Sequence, residues 1–192
     1  MSLPVKVSNY LTKSAAVFEP VEHRTVFTAY DLAATLREPL DAIGKTLLVK
    51  TDKGFHLIVL PASRRLDLGK LKKLLGAKKI TIATEKDMVR ELKVKPGAIT
   101  PFGSLHKLPV VVDKSLVKSK KILLGSGSFT DSVRMSSSVF VALENATLGA
   151  FSEAAGLKLP KPAAKKPLKK RPSKGARRTN VAKRAKAKTK RR

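Results

Sequence analysis

Every acidic side chain of this 192-residue chain lies at or before Glu153, and that asymmetry limits what can fold. From Lys158 to Arg192 there are 17 basic residues and no acidic ones, with only Leu159, Leu168 and Val181 as large apolar side chains. Such a segment cannot bury enough apolar surface to offset the entropy of ordering it. Residues 1–157 hold 24 basic and 14 acidic residues, a net +10 within the +27 of the whole chain. A body of about 150 residues can bury one good core. The expectation is one domain, 1–153, followed by a disordered Lys/Arg/Pro/Ala-rich tail, 154–192. Pro160, Pro162, Pro167 and Pro172 favour an extended, hydrated tail.

The absence of Cys excludes a disulfide scaffold, thiolate metal sites and Cys nucleophiles. Three scattered histidines, His23, His56 and His106, argue against a His-rich metal site, while one built on carboxylates stays open. No cofactor or metal is expected. The longest apolar runs, such as Leu57–Leu60 and Val110–Val112, fall far short of the roughly 20 residues that span a bilayer. The N-terminus lacks the basic and apolar regions of a secretory signal. A soluble cytoplasmic protein with no membrane partner is expected.

No repeat of solenoid or propeller length is present. Val5–Ala15 reads as a helix, and Thr28 as the N-cap of Ala29–Leu36, with Pro39 barring continuation. Lys45–Lys50 and Phe55–Leu60 are apolar, β-branched runs around Thr51-Asp52-Lys53-Gly54, a hairpin in a largely covered sheet. Asp67 opens a helix with Leu68, Leu71, Leu74 and Leu75 on one face, and Gly76 stops it. Lys79–Ala83 reads as a strand and Thr84 caps Glu85–Leu92. Leu108–Val112 and Lys121–Leu124 are further strands, with Asp113 capping a turn between them. Val133 and Met135 belong to a return strand, and Ser136 or Ser137 caps a closing helix through Leu143. The fold class is mixed α+β: a mixed, mostly antiparallel sheet with helices around it.

Two loops and one lysine stand out chemically. Gly97-Ala98-Ile99-Thr100-Pro101-Phe102-Gly103 combines close backbone approach with a fixed direction, so its N–H groups can face a carbonyl or oxyanion. A tight surface turn is the plain alternative. Lys45 follows Gly44 at the start of an apolar strand, where a stem can pack inward while the ammonium holds a phosphate or faces a reacting carbonyl; a solvated strand-end lysine is the bland reading. Gly125-Ser126-Gly127-Ser128 can offer backbone donors and hydroxyls, but lacks P-loop spacing, and a hairpin turn needs no function. His106 follows the shaped loop closely; His23 and His56 have weaker claims. No G-x-S-x-G elbow marks a nucleophile.

In order, these segments resemble the YbaK/prolyl-tRNA synthetase-associated domain family. The carrying residues are Thr28-Ala29 with Asp31-Leu32-Ala33, Gly44-Lys45-Thr46-Leu47, Leu60-Pro61-Ala62, Arg65-Leu66-Asp67-Leu68, Leu74 to Lys79, Pro96 to Gly103 with its GxxxP element, Val112-Asp113 and Gly125 to Ser128. The resemblance covers about residues 5–148. It implies a YbaK-like fold and trans-editing, the hydrolysis of the ester joining a wrong amino acid to tRNA, with aminoacyl-tRNA as substrate and an aminoacyl-tRNA synthetase as a second partner. It carries the functional Lys onto Lys45 and the GxxxP pair onto Gly97 and Pro101. Thr46, Ala98, Ile99, Thr100, Phe102, Gly103, His106, Gly125, Ser126, Gly127 and Ser128 are then candidate substrate contacts. A small amino acid on tRNA(Pro) or a related tRNA is implied.

The tail adds charge without aromatics. Lys165, Lys166, Lys169, Lys170, Arg171, Arg177 and Arg178 would attract tRNA phosphates, and neutralising about six on a single strand gives a log–log salt slope near −4. A solubilising polycation is the plain alternative. A non-catalytic nucleic-acid-binding protein or a synthetase-associated adaptor would also carry such a tail, but neither requires both Lys45 and the GxxxP loop.

Overall fold

In the computed structural model, residues 3–94 and 97–156 are described. The expected tail and its seven candidate basic contacts, with Lys95 and Pro96, lie outside them. The helices are α1 (Val5–Lys13), α2 (Ala29–Leu36), α3 (Leu68–Leu75), α4 (Glu85–Leu92) and α5 (Ser137–Leu143). The strands are β1 (Phe18–Glu22), β2 (Ile43–Thr51), β3 (Gly54–Pro61), β4 (Arg64–Leu66), β5 (Ile80–Ile82), β6 (Val110–Asp113), β7 (Lys121–Gly125), β8 (Asp131–Ser136), β9 (Thr147–Gly149) and β10 (Ser152–Ala154). The main sheet runs β1-β8-β7-β2-β3-β6-β9, with β5 also on β2, while β10 pairs with β4.

Five pairings are antiparallel; β2–β7, β3–β6 and β6–β9 are parallel. The expected mixed, mostly antiparallel sheet is therefore present. The near-continuous apolar runs of β2 and β3 follow from burial on both faces. Along β3, Leu57 and Val59 join a core with Val110, Leu124 and Phe140, whereas Ile58 and Leu60 meet Leu71, Val111 and Phe151 on the opposite side.

Local chemistry sets the helix starts. Thr28, Asp67 and Thr84 each accept the backbone N–H three residues on, and Thr84 with Asp87 forms a capping box. Gly76 ends α3 in the left-handed conformation. Ser136, one of the two expected caps, is the N-cap of α5, although its side chain makes no cap bond. Asp113 caps the turn after β6 as expected, accepting the Ser115 N–H at 2.9 Å, and its other oxygen takes the Phe151 N–H at 2.9 Å, which ties the segment after β9 to β6.

The strand β1 was not foreseen. Its sequence Phe-Glu-Pro-Val-Glu is polar and carries Pro20, which suits a sheet edge, and it occupies one. The last strand reaches Ala154 and Ala155 donates to the Ser63 carbonyl at 3.1 Å, just past the expected boundary at 153.

Candidate functional site

The strand β2 changes partners along one edge. Ile43 and Gly44 pair with β7, and Val49 to Thr51 pair with β5. Between them, Lys45, Thr46 and Leu47 keep only β3 as a strand partner, and the Leu48 carbonyl accepts from Ala83 at 2.9 Å. The sheet is thus open along three residues. A cavity of about 360 Å³ fills this gap.

Four segments close around it. The start of α2 contributes Phe27, Thr28 and Ala29; α4 contributes Glu85 and Met88; the loop after α4 contributes Gly97 and Ile99; the β7–β8 turn contributes Gly125 and Ser128. Gly97 adopts φ +86°, where an L side chain is strained, and a Cβ there would lie 3.2 Å from the Phe27 carbonyl oxygen. A Cβ on Gly125 would come within 3.1 Å of the Ile99 carbonyl oxygen. Small residues therefore let the two loops and the α2 entrance meet.

Lys45 is half-buried on the strand face that also carries Ile43 and Leu47. Its ammonium donates to the Arg64 carbonyl at 2.9 Å, which fixes the stem and leaves two N–H donors. Burial, with a smaller contribution from the Arg65 charge, pushes its pKa below the ordinary lysine value. Thr46, on the other face, lines the cavity with a buried hydroxyl that has no hydrogen-bond partner. Phe27 is 66 % exposed and lies against Phe129, with centroids 5.2 Å apart.

Of the residues singled out in the sequence, Lys45, Thr46, Gly97, Ile99, Gly125 and Ser128 border this one cavity. Ala98, Thr100 and Pro101 are buried in the loop beneath it. The Ser126 hydroxyl bonds the Asp131 carbonyl at 2.7 Å, and Gly127 at φ +91° completes the turn. Phe102, Gly103 and His106 need correction as substrate contacts. Phe102 is fully buried between Tyr10 and Phe140, because the only large aromatic in a Gly/Pro bend anchors it to the core. A Cβ on Gly103 would sit 2.3 Å from the Leu108 carbonyl oxygen, so that glycine serves packing. His106 follows the same anchored turn and is absent from the cavity lining. Burial, together with the Lys6 charge, lowers its pKa.

The cavity also takes in His23, which had only a weak claim from the sequence, and Ser132, Glu85 and Met88, which were not singled out there as site residues. The Thr28 and Thr84 caps were the local signals near them. Among the described residues no group of three or more His, Cys, Asp or Glu could hold a metal ion, and no helix is long and apolar enough to cross a membrane.

A mixed sheet opened along β2, with a cavity of mixed polar and apolar lining beside a glycine–proline bend, is the arrangement that defines this class of domain. Residues 23–143 match the model of the aminoacyl-tRNA editing domain, and the chain belongs to that family. Among its relatives, the prolyl-tRNA editing protein ProX of Acetoanaerobium sticklandii is 33 % identical over 103 residues, covering 50 % of this chain and 63 % of that protein. A proline–tRNA ligase of Macrococcus caseolyticus is 30 % identical over 110 residues, 57 % of this chain and 19 % of the ligase. The chain therefore spans less than two thirds of these relatives. A solved structure described as a proposed trans-editing enzyme for prolyl-tRNA synthetase shares the fold, with TM-score 0.71 and 24 % identity over 80 % of this chain and all of that one.

Proposed function

We propose that the chain is a trans-editing hydrolase that cleaves the ester of mischarged aminoacyl-tRNA in the cytoplasm, with a small amino acid on tRNA(Pro) or a related tRNA as substrate. The observation that carries this reading is the convergence of Lys45, the Gly97 loop and the Gly125 turn on one cavity. An aminoacyl ester is already activated, so the protein must hold the terminal adenosine, orient the carbonyl and stabilise the developing oxyanion. Backbone N–H groups near Gly97–Pro101 serve the carbonyl oxygen. The ammonium of Lys45 serves the terminal phosphate or a nearby substrate oxygen, and Thr46 offers its unpartnered hydroxyl to the same ligand. Pocket size sets the preference among amino acids, at about 1–3 kcal/mol per methylene.

The basic segment from Lys165 to Arg178 adds tRNA affinity that is independent of sequence and sensitive to salt. A synthetase is the natural supplier of the mischarged substrate and a candidate partner.

The test is a panel of alanyl-, seryl- and cysteinyl-tRNAs incubated with wild type and Lys45→Ala under single-turnover conditions. Wild type should release amino acid, and the variant should be slower by about 10²–10³, as for loss of one charge-stabilising donor. Wild-type rates from the variant would remove Lys45 from the chemistry. If wild type releases nothing, the hydrolase reading falls and non-catalytic binding replaces it.

A further inference from the structure

The residues assigned so far include none that takes the proton from the attacking water, and the cavity wall beside the Gly125 turn contains a suited pair. His23 and Ser132 both line the cavity, and the ring Nε2 lies 2.9 Å from the Ser132 hydroxyl oxygen. The other ring nitrogen, Nδ1, is 2.9 Å from the Arg24 carbonyl oxygen. A carbonyl can only accept, so the Nδ1 of a neutral ring carries the hydrogen. That fixes the tautomer: Nε2 is the acceptor, and the Ser132 hydroxyl donates to it. The serine oxygen then has lone pairs left to accept a bond from a molecule in the cavity.

The backbone holds the pair in place. Ser132 sits in β8 between Val21 of β1 and Gly125 of β7, and is 2 % exposed. The His23 N–H donates to the Thr130 carbonyl at 2.9 Å, and the Val26 N–H to the Phe129 carbonyl at 2.9 Å. Two side chains on strand ends cross-tied in this way have little freedom to separate. Charged groups on the surrounding elements are Arg24, which bonds Thr35, Glu22 and Asp131, which are cross-strand partners, and Lys45 and Glu85 on the cavity wall. Asp131 is occupied by the hydroxyls of Ser128 and Thr130 at 2.9 and 2.7 Å.

We propose that Ser132 and His23 form a proton relay for the hydrolytic water. This rests on the hydrolase reading above and deepens it. The water oxygen attacks the ester carbonyl carbon as its proton passes to the Ser132 oxygen and the serine proton passes to His23 Nε2. Collapse of the tetrahedral species breaks the bond between carbonyl carbon and ribose oxygen, and the imidazolium returns its proton through Ser132 to that oxygen. One water is consumed, and one carboxylic acid and one ribose hydroxyl are formed.

The test uses the full chain with alanyl-, seryl- and cysteinyl-tRNA(Pro), in single turnover from pH 5 to 8.5, for wild type, His23→Gln and Ser132→Ala. Each variant should lower the maximal rate at least about 100-fold, the lower bound for general acid–base catalysis, with half-saturating enzyme concentration unchanged. The solvent isotope effect on the maximal rate should be larger for wild type than for either variant, because only wild type moves both protons of the relay. Equal effects, or variants within threefold of wild type, overturn the relay while leaving the hydrolase intact. An acyl group found on Ser132 by mass spectrometry of quenched reactions overturns it in favour of a covalent route. If a variant is unfolded by circular dichroism, the other variant and the wild-type solvent isotope effect decide, because a relay of two protons in flight requires an effect and its absence removes it. Inactive wild type removes both readings together.

Discussion

Replacing Thr46 by Val separates binding from stability at the opened strand edge. Threonine and valine are both β-branched and fit β2 equally, so the exchange swaps one hydroxyl for one methyl. That hydroxyl is buried and has no partner in the protein. Leaving a buried donor unsatisfied costs about 1–3 kcal/mol, and the new methyl adds up to about 0.8 kcal/mol of burial. Thr46→Val should therefore stabilise the protein by about 1–2 kcal/mol after partial relaxation, raising Tm by about 2–8 °C for a domain of this size. The same change should weaken aminoacyl-tRNA binding about 10-fold, the worth of one neutral hydrogen bond to a ligand. Calorimetry and single-turnover titration of the substrate measure the two effects on the same samples. A lower Tm would show that the hydroxyl is satisfied in the free protein, and unchanged binding with a higher Tm would show that the ligand does not use it. Either outcome refutes the reasoning.

Gly97→Ala forces a Cβ into a left-handed backbone beside the Phe27 carbonyl. It should cost about 1–3 kcal/mol in urea unfolding and slow ester hydrolysis at least tenfold, and a silent variant would mean that the bend does not shape the site. Burial by itself would raise the Asp113 pKa, but the hydroxyl and backbone of Ser115, the Phe151 N–H and Ser152 overcome it and hold the carboxyl below its usual 3.8. Its contribution to stability is complete above about pH 4 and is lost as pH falls through the lower folded value, so Asp113→Asn should flatten the acid limb of the stability profile. Tyr10 is pushed up to about 12 from 10.0 by burial and by Glu144, whose carboxylate accepts its hydroxyl at 2.8 Å. Stability from that bond is full below pH 10 and fades toward pH 12, and Tyr10→Phe should abolish this alkaline loss when unfolding is followed across that window.

Much of the architecture was legible because its signals are local. A hydroxyl or carboxylate three residues ahead of an N–H announced α2, α3 and α4, and a polar turn ending in Gly54 announced the β2–β3 hairpin. What escaped was structure set by distant pairing. The edge strand β1 has too much charge to read as a strand, and the three-residue strands β4, β9 and β10 exist only through their partners. The cavity divides the same way. Lys45, Gly97 and Gly125 belong to compact motifs, whereas His23 and Ser132 are 109 residues apart and meet only through the β1–β8 pairing. Phe102 was misjudged because a Gly/Pro-rich bend looks exposed, although its aromatic residue is what fastens it down.

The break in partners along β2 places the two walls of the cavity on separate supports. The wall formed by α4 hangs from three residue pairs between β5 and β2, while Lys45 and the β7 turn belong to the long central strands. Substitutions at Glu85 and Met88, the α4 residues on the cavity wall, can therefore widen or narrow the chamber while the strand-borne groups around it keep their backbone supports. A fold divided in this manner lets the volume of the chamber drift from one descendant to the next while the groups on its other wall are inherited intact.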